Sequence, residues 1–153
     1  SPDNHAGVMH RILDEGVPMA QVGVRSLTRE ERELISERGI CTVFAEQATR
    51  EPVGQWVGKV LDALPEEVYV TVDVDGFDPA IMPATGTPEP GGLGWYAVLA
   101  LLREVALRKR IVAFDVVELA PIPGQVASDF LAARLVYRLM GLALAGCGPG
   151  VRS

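Results

Sequence analysis

The chain has 153 residues, of which 48% are hydrophobic, and this length is enough for one domain with a hydrophobic core. Its 20 acidic residues outnumber its 14 basic ones, which gives a formal net charge of −6. Nucleic acids and anionic membranes attract clustered Lys and Arg, so this balance argues against both as partners. No apolar run in the sequence approaches the roughly 20 residues that a membrane-spanning helix needs.

Two features bear on the location of the protein. Cys41 and Cys147 are far apart and lie in apolar or glycine-rich surroundings, which favours reduced thiols over a disulfide framework. The first residues show no basic region followed by an apolar stretch, so they do not match a signal peptide. We therefore expect a cytoplasmic protein.

Four short apolar or β-branched runs predict buried strands, and a helical pattern follows each of them. The predicted strands are residues 19–24, 40–44, 68–72 and 111–117. Successive strand-then-helix units with nearly continuous apolar strands indicate a parallel sheet covered by helices on both faces. The predicted fold class is α/β, a three-layer α-β-α sandwich in which residues 1–153 form a single domain.

The helices carry their own start and stop signals. Thr28, with Glu31 three residues later, predicts a capping box for a helix that Gly39 ends. Ser128 is expected to cap a last helix that runs to about Leu144. Apolar residues at helical spacing predict two more helices, over residues 53–64 and 95–106.

Acidic residues stand where the third and fourth strands end. Asp73 and Asp75 follow the third strand in the string VTVDVDGFDP, and Glu118 follows the fourth in FDVVELAP. Functional sites in parallel sheets lie beyond the carboxyl ends of the strands. Because side chains alternate along extended backbone, both aspartates are expected on one side. Gathered carboxylates are costly unless a cation neutralises them, so a metal ion is the obvious candidate, although aspartates also occur at strand ends merely as caps.

The loop after these aspartates is too long to be a mere connection. It spans Pro79 to Gly94, sixteen residues, and loops of this length in compact domains are usually functional. Asp78, which directly precedes Pro79, is expected to brace a turn.

A longer string carries a resemblance to a known family. VTVDVDGFDPAIMPATGTPEPGGLGW resembles the signature of the ureohydrolases, the arginase and agmatinase family, in which two alternating aspartates precede G-x-D-P and a G-T-P-x-x-G-G loop. FDVVELAP resembles a later strand of the family, and HAGVM near the start resembles agmatinase-like members. The resemblance covers nearly the whole chain and implies an arginase-like fold, incomplete in this chain.

The resemblance implies roles for five residues. Asp73 matches the aspartate that bridges two manganese ions, and Asp75 matches a ligand of one of them. Glu118 matches the carboxylate that pairs with the substrate guanidinium, and Thr87 matches a loop threonine near that cation. His5 matches the histidine proposed as proton shuttle or general acid. The implied reaction hydrolyses a small guanidino compound to urea and an amine, in an assembly that is usually a trimer or a hexamer.

The sequence also departs from the family. Family members are about twice as long and carry further metal ligands upstream, in a G-G-D-H segment and a D-A-H-x-D segment that this sequence lacks. Two interpretations stay open. The chain is the carboxyl-terminal half of an agmatinase-like enzyme, inactive without the rest, or it is a non-catalytic, partner-binding or degenerate domain that keeps the fold without the metals.

The segment after the first strand bears on the substrate. Arginases place R-D-V-D there, and the second aspartate helps to recognise the α-amino group of arginine, whereas this chain has Arg25-Ser26-Leu27-Thr28. Uncharged Thr28 favours a decarboxylated compound such as agmatine. Guanidino acids without an α-amino group stay possible, because Arg25 or Arg29 would meet their carboxylate.

Overall fold

The structure, a computed structural model, describes the backbone of residues 8–145 and the side chains of residues 11–145. His5 and Cys147 lie outside these described residues. The elements in chain order are α1 (Val8–Asp14), β1 (Ala20–Val24), α2 (Arg29–Glu37), β2 (Cys41–Phe44), α3 (Ala45–Arg50), α4 (Val53–Asp62), β3 (Glu67–Asp73), a 3-10 turn (Val74–Gly76), α5 (Trp95–Arg108), β4 (Arg110–Val117) and α6 (Ala127–Ala145).

The four predicted strands are confirmed, but they pair differently from the expectation of one sheet. Within the described residues they form two parallel two-stranded sheets, β1–β2 and β3–β4. Ala20 lies opposite Cys41 in the first, and Asp73 lies opposite Val117 in the second. Among the described residues β1 forms no ladder with β3, and β1 contacts the 3-10 turn that follows β3.

The predicted capping box of α2 is confirmed. The Thr28 hydroxyl accepts a hydrogen bond from the Glu31 N–H at 3.2 Å, and the Glu31 carboxylate accepts one from the Thr28 N–H at 2.6 Å. Two of the unpaired N–H groups at the start of the helix are thereby satisfied. Gly39 follows the helix with a φ of +62°, a conformation that glycine adopts without steric cost.

The prediction that Ser128 caps the last helix is wrong. Helix α6 begins at Ala127, so Ser128 lies inside its first turn, fully buried, and its hydroxyl has no partner among the described residues. Serine is common both at the cap and just inside a helix, and only the backbone distinguishes the two positions. Helices α1 and α3 were not predicted.

The core lies between helices α4, α5 and α6 and one face of the β3–β4 sheet. Val68 and Ile111 point into it from the strands, beside Trp56, Leu135 and Leu139 from the helices. The opposite face of the sheet is not covered in the part of the chain that the structure describes, and we call it the bare face. Its residues are Tyr69, Thr71, Asp73, Ala113, Asp115 and Val117.

The helices can be compared with the requirements of a membrane span. Across residues 8–145, none of them combines the length and the apolar character that crossing a bilayer requires.

Candidate functional site

The end of β3 is shaped by Asp73 itself. The strand stops at this residue, and the Asp73 carboxylate accepts a hydrogen bond from the Asp75 N–H at 2.8 Å, which caps the 3-10 turn Val74–Gly76. The expectation of extended backbone between Asp73 and Asp75 is therefore wrong, whereas the expectation that the two carboxylates lie on one side stays a prediction. A 3-10 turn carries Asp75 instead.

Two threonines hold the carboxylate of Asp75. The hydroxyl of Thr85 donates to one carboxylate oxygen, and the hydroxyl of Thr87 donates to the other. Both threonines belong to the long loop after the 3-10 turn, so the loop fixes the orientation of this carboxylate. Sequence reasoning singled out Thr87 and missed Thr85, although the spacing A-T-G-T signals that the two act as a pair.

The loop of residues 79–94 is docked against the end of β3. The Asp78 carboxylate accepts hydrogen bonds from the N–H groups of Ala80, Gly91 and Gly92, at 2.9, 3.0 and 3.2 Å. Leu93 donates its N–H to the Gly76 carbonyl at 2.8 Å and accepts from the Asp78 N–H at 3.0 Å. The prediction that Asp78 braces a turn is confirmed, and the bracing extends to the far end of the loop.

At Gly92 the backbone of the loop comes very close to the backbone of Phe77 and Asp78. A Cβ atom on Gly92 would lie 2.4 Å from the carbonyl carbon of Phe77, a distance that folded proteins do not tolerate. Only glycine lets the two backbone segments approach this closely.

Glu118 sits at the equivalent end of β4. Among the described residues it is the only non-glycine residue with a positive φ, +66°. This conformation costs a non-glycine residue about 1–2 kcal/mol, and such strain is found mainly at functional sites. The next residues pair with the loop, since Ala120 donates its N–H to the Ala84 carbonyl at 2.9 Å. The loop therefore joins the ends of β3 and β4.

The negative charges of Asp75 and Glu118 act on Asp73. Burial removes part of the hydration of Asp73 and raises the pKa of its carboxyl group, and the negative charges of Asp75 and Glu118 raise the pKa further. The hydrogen bond from the Asp75 N–H and the positive charge of Arg25 lower it, but by less than the sum of the other effects. The ionised form of Asp73 is thus less favoured than that of an ordinary exposed aspartate.

Asp78 has the opposite environment. The hydrogen bond from the Ala80 N–H lowers the pKa of the Asp78 carboxyl group, and the N–H groups of Gly91 and Gly92 lower it further. Three backbone N–H groups therefore stabilise the ionised form of Asp78, with a smaller contribution from the positive charge of Arg25.

The residues present fit part of a metal centre. Asp73 and Asp75 supply hard oxygen donors in a crevice with an excess of negative charge, which suits a divalent cation such as manganese. However, no group of three His, Cys, Asp or Glu side chains within the described residues is arranged to hold a metal ion. A complete centre needs ligands from elsewhere.

The structure places four of the five predicted site residues around this crevice. Asp73, Asp75, Thr87 and Glu118 lie at the carboxyl ends of β3 and β4 and on the loop between them. His5 falls outside the described residues. The suggestion that Arg25 or Arg29 meets a substrate carboxylate is not supported, because Arg25 donates to backbone carbonyls and Arg29 pairs with Glu33 at 2.8 Å.

The parallel strands and their flanking helices define an α/β protein with acidic residues beyond the ends of two neighbouring strands, and comparison with known sequences identifies the family. The model of the arginase family matches residues 1–141. The chain belongs to the arginase family.

Named relatives place the chain more closely. It is 42% identical over 139 residues to an N(1)-aminopropylagmatine ureohydrolase of Synechocystis, covering 90% of this chain and 45% of that protein. It is 40% identical over 139 residues to an agmatinase of Pyrococcus horikoshii, covering 91% and 48%. The solved structure of proclavaminate amidinohydrolase from Streptomyces clavuligerus superposes with a TM-score of 0.84 at 30% identity, over 94% of this chain and 50% of that one.

These matches confirm the arginase-like fold and its incompleteness. The chain spans about half the length of the relatives that it matches.

Proposed function

We propose that this chain forms part of a metal-dependent enzyme that hydrolyses a guanidino compound, agmatine or a close analogue, to urea and an amine. The observation that carries the proposal is the crevice itself. In a chain of the arginase family, two threonine hydroxyls fix the carboxylate of Asp75 next to Asp73, at the end of a strand whose parallel neighbour ends beside Glu118.

The proposed roles follow from the chemistry of the substrate. A guanidinium is a resonance-stabilised cation and a poor electrophile, so it must be held firmly and attacked by a strong nucleophile. The Glu118 carboxylate pairs with the cation and orients it. His5 delivers a proton to the departing amine when the carbon–nitrogen bond breaks. The Thr87 hydroxyl borders the substrate while it orients Asp75.

Asp73 and Asp75 are the proposed protein ligands of manganese. Two bound manganese ions would supply a water molecule that is deprotonated at neutral pH, and this is the chemistry that a guanidinium requires. Because the chain contributes at most two ligands, we propose that the isolated chain binds manganese weakly and has no activity. Metal analysis after gel filtration tests this, and two manganese ions per chain with measurable urea release would contradict it.

The experiment that tests the function is urea release by a full-length protein, or by the chain reconstituted with the missing half of the family fold. Agmatine, N(1)-aminopropylagmatine, arginine and 4-guanidinobutyrate are compared side by side. We expect the two substrates that lack an α-carboxylate and an α-amino group to be preferred over arginine on the order of a hundredfold in kcat/KM, because Thr28 offers no charge to the α-amino group. A higher kcat/KM for arginine would overturn the substrate assignment.

A pair of variants tests whether Asp73 is a metal ligand. Asp73→Asn should abolish manganese binding and urea release, whereas Asp62→Asn, at an exposed aspartate at the end of α4, should change neither. Full activity in Asp73→Asn would refute the proposed metal ligand. Cytoplasmic location and a trimeric or hexameric assembly complete the proposal.

A second candidate function is that of a partner-binding domain without catalysis. The outer side of α6 favours it, because four large apolar side chains are exposed there at intervals of seven, three and four residues. They are Phe130, Tyr137, Met140 and Leu144. Such a stripe normally packs against another helix.

Sedimentation velocity tests whether the outer side of α6 takes part in association, and urea release distinguishes the two candidates. In a partner-binding domain, Tyr137→Ser should weaken association while Arg138→Ser, at the adjacent exposed position, leaves it unchanged. Urea release by the full-length protein would rule out a purely binding role.

A further inference from the structure

Arg25 follows β1 directly, and its guanidinium reaches the end of the other sheet. One terminal nitrogen donates to the carbonyl of Asp75 at 2.6 Å and to that of Glu89 at 2.5 Å, with a longer contact to the Phe77 carbonyl at 3.3 Å. The Nε atom donates to the Glu89 carbonyl as well, at 3.1 Å. The partners lie 50 to 64 residues further along the chain.

The three carbonyls come from two separate segments. Asp75 and Phe77 belong to the 3-10 turn and its exit, and Glu89 belongs to the loop that carries Thr85 and Thr87. A guanidinium presents several N–H donors in one rigid plane, so it can join these segments, whereas the ammonium group of lysine is a single point. The charge on Arg25 also strengthens each of these hydrogen bonds.

The loop is held at several points. Asp78 and Gly76 hold Gly91, Gly92 and Leu93 by contacts local to the turn and the loop, and the Ala84 carbonyl accepts from the Ala120 N–H beyond β4. On the side of β1, the Leu93 side chain lies beside Gly23, and Arg25 supplies side-chain hydrogen bonds that tie both the turn and the loop to the end of this strand of the other sheet.

We propose that Arg25 is a positioning residue that locks the 3-10 turn and the loop of residues 79–94 into the arrangement in which Thr85 and Thr87 hold Asp75. The sheet β1–β2 thereby sets the geometry of a site that stands on β3 and β4. The consequence for catalysis rests on the proposed function, but the positioning itself does not.

Hydrogen exchange of the loop amides tests the positioning directly. In Arg25→Lys, which keeps the charge, the N–H groups of Gly92 and Leu93 should exchange about tenfold faster or more, since two charge-assisted hydrogen bonds are lost. The matched control is Arg29→Lys, four residues away at an exposed position paired with Glu33, and it should leave these amides unchanged.

A second readout separates positioning from a general structural role. Manganese affinity of the full-length or reconstituted protein, measured by electron paramagnetic resonance, should fall about tenfold in Arg25→Lys, because Asp75 is no longer held. If the unmodified protein binds no manganese, the proposed function fails while the exchange experiment still tests Arg25.

Three outcomes would overturn the proposal. Loop exchange in Arg25→Lys equal to that of the unmodified protein would show that the guanidinium contacts are dispensable. Manganese affinity unchanged despite faster loop exchange would show that the loop does not hold Asp75. Equal acceleration of exchange throughout α6, in both Arg25→Lys and Arg25→Gln, would make Arg25 a determinant of the whole fold instead of this loop.

Discussion

The two faces of the β3–β4 sheet carry different residues and do different things. On the covered face, Val68 and Ile111 lie opposite each other and are nearly inaccessible beneath the helices. On the bare face, Tyr69 is 59% exposed, and Thr71 and Asp115 are joined by a hydrogen bond of 2.6 Å. Stability comes from the covered face, whereas the bare face ends in Asp73 and leads to the crevice.

This difference also bears on how a chain that spans about half the length of its relatives packs. The buried residues of the described helices and strands form one cluster, to which the covered face contributes Val68 and Ile111. The bare face is polar enough to meet water and apolar enough to pack against a further layer. Side chains along β3 point alternately to the covered face and to the bare face, so one strand contributes both to the core and to the surface that leads to the candidate site.

The largest expected loss of stability on substitution lies in α6. One side of this helix faces the core, and the other side is exposed. Leu135 is fully buried and Leu144 is 71% exposed. Leu135→Ala should lower the free energy of unfolding by about 2–5 kcal/mol, because it leaves a cavity in a packed core. Leu144→Ala should change it by less than about 0.5 kcal/mol. Urea denaturation of both variants measures this, and equal losses would show that the outer side of α6 is also packed.

A smaller effect is expected at the rim, where the loop docks on the end of β3. Gly92→Ala should cost about 1–3 kcal/mol, because the added Cβ atom forces the loop away from Phe77. Gly86→Ala is the matched control in the same loop, since nothing lies within 4 Å of its Cβ position. Thermal unfolding with hydrogen exchange of residues 89–93 follows both variants. Equal stability of the two variants would contradict the close approach at Gly92.

The smallest expected effect on stability comes from a hydrogen bond on the bare face. The Tyr69 hydroxyl donates to the Asp115 carboxylate at 2.5 Å, and this hydrogen bond raises the pKa of Tyr69 above its ordinary value of 10.0, with desolvation and the negative charge of Asp115 raising it further. The contribution of this hydrogen bond to the stability of the folded protein is complete below pH 10. It is lost as the pH rises through the raised pKa of Tyr69, because the hydroxyl then loses its proton.

Asp115→Asn should return the pKa of Tyr69 towards its ordinary value. NMR titration of the tyrosine ring signals measures this, with Tyr96 and Tyr137, both exposed, as internal references. A Tyr69 pKa that stays high in the variant would show that Asp115 is not its cause.

Much of the fold was predictable because it depends on local patterns. Apolar runs marked all four strands, and Thr28 with Glu31 marked the start of α2. Helix α3 was missed because six residues, AEQATR, are too few to show a helical period. The separation into two sheets was missed because a strand sequence does not reveal which neighbour it pairs with.

The candidate site residues could be named from the sequence, and their roles stay predictions, but the contacts between them could not be predicted. Asp73, Asp75 and Thr87 stand out within one continuous string. The 3-10 turn between the aspartates was missed because alternation was extended past the end of β3. The role of Arg25 joins atoms 50 to 64 residues apart, and no local pattern carries that information.

The positive φ of Glu118 has a consequence for laboratory evolution. Replacing Glu118 with glycine would relieve the backbone cost and should stabilise the chain by about 1 kcal/mol. A library screened for thermal resistance alone should therefore enrich Glu118→Gly, whereas a library screened for turnover in a full-length context should eliminate it. The residue recovered at position 118 would report which of the two pressures had acted.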